Sequence, residues 1–316
     1  MQQSVMPRAA QGVGASRSFC AALAFAAALT LGMSGARAQD EVSPEIENRS
    51  DQLDVPYVPS TNAVLDAMFT FAKPTKDDYV MDLGSGDGRI VNYAAANFGA
   101  SGHGIDLNEG LVKIANDHAR SAGIADRAKF YVRDLFREDI SRATIITMYL
   151  LPEIMLQLRP KLFKDLKPGT RIVSHDYNMG DWRFDATKVV GSRGGGEEDL
   201  VYYWKVPAKV AGTWEFKIEY PAYFQGARDY KANINQKWQD MDGALDSGGL
   251  PIRIFESKLD GAKISFAATG EIDERLVRHD FAGTVNGNRI EGTVTLSGSV
   301  EAKTFPWTAT RTKADN

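Results

Sequence analysis

The residues best suited to chemistry in this chain are three aspartates and a glycine turn. Asp82 closes the apolar run Tyr79-Val80-Met81, and two residues later the chain reads Gly84-Ser85-Gly86-Asp87-Gly88-Arg89-Ile90. Glycines so placed let the backbone turn sharply and approach a ligand closely at a helix N-terminus. Asp106 ends the next apolar run, about 24 residues beyond Asp82, where a carboxylate can accept both hydroxyls of a ribose. Asp134 follows a third run, Lys129 to Val132. Any one of these acids is also a good helix N-cap, and for Asp134 both readings stay open. Taken with the glycine turn, the set points to a nucleoside-binding edge.

Two nucleoside ligands compete for such an edge. Dinucleotide enzymes carry G-x-G-x-x-G, whereas this turn is G-x-G-x-G with an aspartate two residues before its first glycine. A carboxylate there repels a pyrophosphate. It can instead receive a hydrogen bond, directly or through water, from the ammonium of S-adenosylmethionine, and this charge argument favours the sulfonium cofactor.

The elements that must position these residues follow from periodicity. Val64, Leu65, Met68 and Phe71 recur at helical spacing over residues 62–71, and Tyr79 to Leu83 reads as a buried strand. Strand and helix signals then alternate: His103 to Asp106, Leu111 to Ala122, Ala128 to Val132, Thr144 to Tyr149, Pro152 to Leu166, and Arg171 to His175. Such alternation predicts an α/β fold, a Rossmann-like parallel sheet with helices on both faces and ligands at its carboxyl edge. Ile154, Met155, Leu158 and Leu162 read as the core face of their helix rather than a membrane stripe.

Beyond Pro207 the pattern becomes β-rich. Trp214, Phe216, Ile218 and Tyr220 alternate with polar residues, and Asp260-Gly261 and Asn286-Gly287 are hairpin signals. A small all-β C-terminal domain is expected over 208–316, a meander closed as a sandwich or barrel, with its glycines serving turns and bulges.

Residues 1–38 carry Arg8 and Arg17, no acid, an apolar run from Phe19 to Met33 and Ala36-Arg37-Ala38. This is the layout of a secretory signal peptide, with cleavage expected before Gln39 and a periplasmic mature chain. The apolar run is shorter than the roughly 20 residues that a membrane span needs, so no stable span is expected after cleavage. The single cysteine, Cys20, lies in that segment, which leaves no disulfide and no cysteine-ligated zinc in the mature chain. Residues 39–54 read as an acidic extended arm. Losing three arginines and no acid takes the formal net charge from -4 to -7, which argues against nucleic acid as a partner.

The segments VPYVPST (55–61), DLGSGDGRI (82–90), GIDLN (104–108), FYVRDLF (130–136), LPEIMLQLRPKL (151–162) and LVYYWKVP (200–207) resemble the class I methyltransferases. More narrowly, they resemble the lysine methyltransferase family that in mitochondria modifies the ATP synthase c subunit and the adenine nucleotide translocase. The resemblance spans 55–207 and is absent from the β-rich domain. It implies that Asp82, Gly84 and Gly86 hold the methionine part of S-adenosylmethionine, with Ser85 beside them. It further implies that Asp106, next to Leu107, holds the ribose, that Asp134 and Leu135 read the adenine, and that Tyr57, Val58 and Pro59 form a lid over the cofactor.

The acceptor side departs from the wider pattern. Several amine methyltransferase families carry an acid or asparagine followed by Pro-Pro-Tyr or Pro-Pro-Phe after the fourth strand, whereas this chain has Thr147-Met148-Tyr149-Leu150-Leu151-Pro152. Pro152 matches the narrower family's single proline. Backbone carbonyls near Tyr149 are placed to orient an amine lone pair, and Tyr149 as a core aromatic remains open. His175, with Asp176, could assist proton removal from the amine. His103, His118 and His279 show no mutual ligand spacing, so no metal is expected. The expected activity is methylation of an amine on a protein or small molecule. A non-catalytic nucleoside-binding scaffold of the envelope, and a lipid- or peptide-binding β domain, are the alternatives.

Overall fold

The structure, a computed structural model, describes residues 57–192, 198–220, 226–272 and 274–314. The expected signal peptide, 1–38, and the expected acidic arm, 39–54, lie outside them. The described residues all fall in one compact unit. Among the described residues no helix is long and apolar enough to cross a membrane.

Helix α1 (Asn62–Ala72) starts where the Thr61 side chain accepts from the Val64 amide, and it ends at Lys73 in the left-handed conformation. It leads to β1 (Tyr79–Leu83), α2 (Arg89–Phe98), β2 (Ser101–Asp106), α3 (Glu109–Ser121), β3 (Ala128–Val132), β4 (Ile145–Met148), α4 (Pro152–Asp165) and β5 (Arg171–His175). Two further strands, β6 (Ala186–Ser192) and β7 (Glu198–Lys205), complete a seven-stranded sheet in the order β3-β2-β1-β4-β5-β7-β6. Sheet residues alternate between two cores. Val80, Ile145, Val173 and Val201 pack with α1 and α2, while Met81, Leu83, Ile146, Met148 and Ile172 pack with α4.

The expected parallel sheet is formed by β1 to β5. Beyond β5 the sheet is mixed, because β7 runs antiparallel between β5 and β6. Only a few residues join β6 to β7, and so short a connection pairs the two strands antiparallel. The second strand of this hairpin, β7, is the one that inserts beside β5.

The β-rich part is a closed eight-stranded barrel, which decides between the sandwich and the barrel. Its strands are β8 (Gly212–Glu219), β9 (Ala227–Lys237), β10 (Asp240–Asp246), β11 (Ile252–Asp260), β12 (Lys263–Ile272), β13 (Arg275–Asn286), β14 (Arg289–Gly298) and β15 (Lys303–Ala314). Each pairs antiparallel with its neighbour in sequence, and β15 pairs back onto β8. Gly261 and Gly287 take φ near 59° in the two predicted hairpin turns. Inward residues, Trp214 among them, fill the lumen, and the rings of Phe216, Phe266, Phe281 and Trp307 contact one another at 4.7–6.1 Å.

The barrel packs on the sheet face that α4 covers. The turn between β9 and β10 puts Trp238, at φ 55°, flat against Trp182 with centroids 5.2 Å apart and planes 8° apart. Phe163 of α4 meets both rings edge-on, and the Arg159 guanidinium lies 4.9 Å from the Trp238 ring. An offset aromatic pair of this kind contributes about 0.5–1.5 kcal/mol beyond its buried area.

Candidate active site

The carboxyl ends of β1, β2 and β4 open onto one cavity of about 530 Å³, lined by 24 residues. The glycine turn is held from below. The amides of Gly84 and Ser85 both donate to the Ile105 carbonyl at 2.9 Å, and the Gly86 amide donates to Asp106 Oδ2 at 2.9 Å. The other oxygen of Asp106 accepts from the Asn108 amide, and Asn108 in turn caps α3 through the Leu111 amide. Asp106 is therefore oriented by its own turn and sits on the cavity wall.

Asp82 is 1% exposed. Thr147 on the adjacent β4 donates to its Oδ1 at 2.7 Å, while Oδ2 is buried without a partner and the residue lines the cavity. Burial pushes its carboxyl up to about 8, against the Thr147 hydrogen bond and with help from the negative charges of Asp106 and Asp87. A buried carboxylate with one free oxygen needs a donor, and a cation would satisfy it best.

The segment 57–60 lies across the glycine turn. The Tyr57 hydroxyl donates to Asp87, and burial together with that bond raises the phenol to about 12. Burial alone would raise Asp87, but hydrogen bonds from Arg89 and then Tyr57 hold it below the usual carboxylate range. Arg89 also donates to the Ser60 carbonyl at 2.7 Å. Gly86 has φ 51°, and a Cβ there would come within 2.4 Å of the Tyr57 ring. Gly86→Val is therefore expected to push Tyr57 off the turn and to strain a left-handed position by about 1–2 kcal/mol. S-Adenosylhomocysteine affinity should fall at least tenfold in a calorimetric titration; unchanged affinity would mean that the segment does not cover the ligand.

Of the residues singled out in the sequence, Tyr57, Val58, Pro59, Asp82, Gly84, Ser85, Asp106, Leu107, Asp134, Leu135 and Tyr149 line this one cavity. Gly86 lies under the Tyr57 ring. Asp134 also caps its own turn, accepting from the Phe136 amide at 2.9 Å. Pro152 and His175 do not reach the cavity wall. Pro152 is in the first turn of α4, behind Leu151. His175 is 2% exposed behind Tyr149, with ring centroids 4.0 Å apart. Its Nδ1 is 2.9 Å from Ser60 Oγ, and its Nε2 is 3.3 Å from Asp199 and 3.5 Å from Asp176.

His175, Asp176 and Asp199 bring three donor atoms within 4.8 Å of one another, a cluster that no sequence spacing revealed. These atoms are committed to the protein. Asp176 accepts from the Tyr149 hydroxyl at 3.0 Å and from the Leu200 amide at 3.1 Å, and Ser60 takes His175 Nδ1. The cluster fixes the Tyr149 ring rather than facing the cavity. Sequence reasoning also missed Thr147, a buried hydroxyl inside an apolar strand whose polarity was the available signal, and Tyr177, Leu150, Leu151 and Ile154, which give one side of the cavity an apolar wall.

The strand order, the carboxyl-edge cavity and its acids define an α/β methyltransferase domain of the class I type. Residues 82–186 match the model of the ANTKMT methyltransferase domain. A protein-lysine N-methyltransferase of Saccharolobus islandicus is 38% identical over 153 residues, 48% of this chain and 94% of that protein. The ATP synthase c-subunit lysine N-methyltransferase of Homo sapiens is 33% identical over 131 residues, 42% of this chain and 55% of its length. A solved structure described as an RNA methyltransferase from Salinibacter ruber, in complex with S-adenosyl-L-homocysteine, is 46% identical and covers 48% of this chain and 96% of that one, with a TM-score of 0.45. The chain belongs to the ANTKMT-type family of class I S-adenosylmethionine-dependent methyltransferases.

Proposed function

We propose that this protein N-methylates a lysine side chain of a protein, with the residues around the cavity dividing into a cofactor side and an acceptor side. The observation that carries the cofactor assignment is Asp82, a buried carboxylate with an unpaired oxygen on the cavity. It would take the ammonium of the methionine part, beside Gly84, Ser85 and Gly86. Asp106 would take the ribose hydroxyls, with Leu107 next to it, and Asp134 and Leu135 the adenine. Tyr57 and Pro59 close the site over the turn. When bound, S-adenosylmethionine supplies an electrophilic methyl group.

On the acceptor side the protein aligns and desolvates a nucleophile. Leu150, Leu151, Ile154 and Tyr177 present an apolar wall, which disfavours a charged ammonium and so lowers the proton affinity of an entering amine. Tyr149 stands among them with its ring locked by the hydrogen bond to Asp176 and the close, tilted contact with the His175 ring. His175 is enclosed, so its part is to position Tyr149, and the proton of the amine leaves to water. An in-line displacement then needs little beyond alignment at about 3 Å and exclusion of water. The lysine assignment is supported by the activities named for the relatives. The net charge of -4 favours a protein amine over RNA.

The test is transfer of tritiated methyl from S-adenosylmethionine by the purified chain to poly-L-lysine, to cell-envelope protein and to total RNA. Label recovered as methyllysine is the expected result. Label in RNA alone would overturn the lysine reading, and cofactor binding without transfer to anything would favour the non-catalytic scaffold. The leader-like segment 1–38 supports a periplasmic site of action, and an intact mass equal to residues 39–316 in the periplasmic fraction is expected.

A further inference from the structure

After β5 the α/β rhythm breaks. Where three of the four earlier connections, β1 to β2, β2 to β3 and β4 to β5, carry helices, the chain runs from Asp176 to Asp185 as irregular backbone with one isolated bridge, Met179 to Trp182. This segment begins at the acceptor wall. Asp176 takes φ 63° and holds the Tyr149 hydroxyl, and Tyr177 lines the cavity with its ring inclined 27° to that of Tyr149, 6.3 Å away.

A loop with no helix of its own must be held from outside, and the barrel does much of this with one turn. Besides the stack of Trp238 on Trp182, Gln239 Nε2 donates to the Arg183 carbonyl at 2.6 Å. Lys237 pairs with Asp181 at 2.9 Å and Asp240 with Arg183 at 3.1 Å. Four consecutive residues of the barrel, 237–240, thus engage three consecutive residues of the loop, 181–183. From α4, Arg159 joins the two by donating to the Met179 carbonyl at 2.8 Å while lying over the Trp238 ring. Trp238 sits in the left-handed region, which a bulky residue adopts only when its surroundings enforce it.

We infer that the barrel is the buttress of the acceptor wall, with Trp238 as the positioning residue. It acts through Trp182 and the loop 177–183 on Tyr177 and Tyr149. The inference deepens the methyltransferase reading and rests on it for the word acceptor. It assigns the β domain a role in aligning the nucleophile and none in holding the cofactor, because the glycine turn, Asp106 and Asp82 are anchored wholly within the sheet and its own loops.

The test uses the full chain with Trp238→Ala, and Trp238→Phe as the conservative rescue. Hydrogen–deuterium exchange, titration with S-adenosylhomocysteine and methyl transfer to poly-L-lysine are measured on each. In Trp238→Ala, exchange over residues 176–183 should rise at least tenfold. Protection over 84–90 and the S-adenosylhomocysteine affinity should stay within twofold, and the KM for poly-L-lysine should rise about tenfold while that for S-adenosylmethionine does not move. Trp238→Phe should restore most of this. Unchanged exchange over 176–183, or equal loss of protection in the loop and the glycine turn, overturns the inference, the second because it marks general unfolding. If even the parent chain methylates no poly-L-lysine, the lysine reading fails, and the exchange and affinity data still decide the buttress.

Discussion

Asp106→Ala should weaken S-adenosylhomocysteine binding by about a hundredfold or more in a calorimetric titration of the purified chain. Hydrogen bonds to a charged acceptor contribute about 1.5–3 kcal/mol each, and loss of two such bonds to ribose hydroxyls corresponds to at least two factors of ten. The substitution also frees the Gly86 amide, which donates to Asp106 Oδ2, so the turn itself should loosen. Asn108 still caps α3 through its own side chain, and the fold should survive with a small drop in melting temperature. Affinity within threefold of the parent would mean that the ribose is not held at this strand end.

The second large effect is expected at Asp82 and depends on pH. Its folded pKa of about 8 lies above the ordinary carboxylate value, so the free protein holds this proton more tightly than the unfolded chain does. Stability contributed by the neutral form is complete below the unfolded pKa near 4 and is lost as pH rises towards 8. A bound ammonium reverses the preference, because it favours the ionised carboxylate. Ligand affinity should therefore increase as pH rises from 6 to 7.5, by about tenfold, before the ligand's own α-amino group begins to lose its charge near pH 8. Binding at pH 7 should release close to one proton, seen as a dependence of the calorimetric heat on the ionisation enthalpy of the buffer. In Asp82→Asn the proton release should vanish, the pH profile should flatten, and affinity at pH 7.5 should fall about thirtyfold to a hundredfold. A variant that keeps both the slope and the proton release would remove Asp82 from the ligand's ammonium.

These two acids were legible in the sequence because strand ends and tight turns are written locally. The apolar run before Asp82, the glycines after it and the similar run before Asp106 each occupy a few consecutive residues. Local order is enough to place such groups on one sheet edge once the strands are parallel neighbours. The two hairpins at Gly261 and Gly287 were readable for the same reason, since a residue at positive φ leaves a direct mark on the choice of amino acid.

Contacts between distant segments were not legible. Nothing near Thr147 in the chain says that its hydroxyl meets Asp82 on the neighbouring strand, and nothing in residues 57–60 says that Ser60 will reach His175, 115 positions away. His175 was expected at the acceptor and lies behind it, because a strand-end residue can face the cavity or the interior, and packing against Tyr149 and Asp199 settled that choice. The antiparallel course of β7 followed from its hairpin with β6 and its insertion beside β5.

Along the chain alone, the periodicities sufficed for the α/β class, the β-rich second part and the nucleoside edge, since each depends on residues within a turn or a strand of one another. Closure of the barrel by β15 on β8, the enclosed His175 cluster and the stacking of Trp238 on Trp182 depended on the folded molecule. Those contacts join residues tens of positions apart, and their partners are selected by how sheets, helices and rings fill a common space, a selection that no local pattern of residue types records.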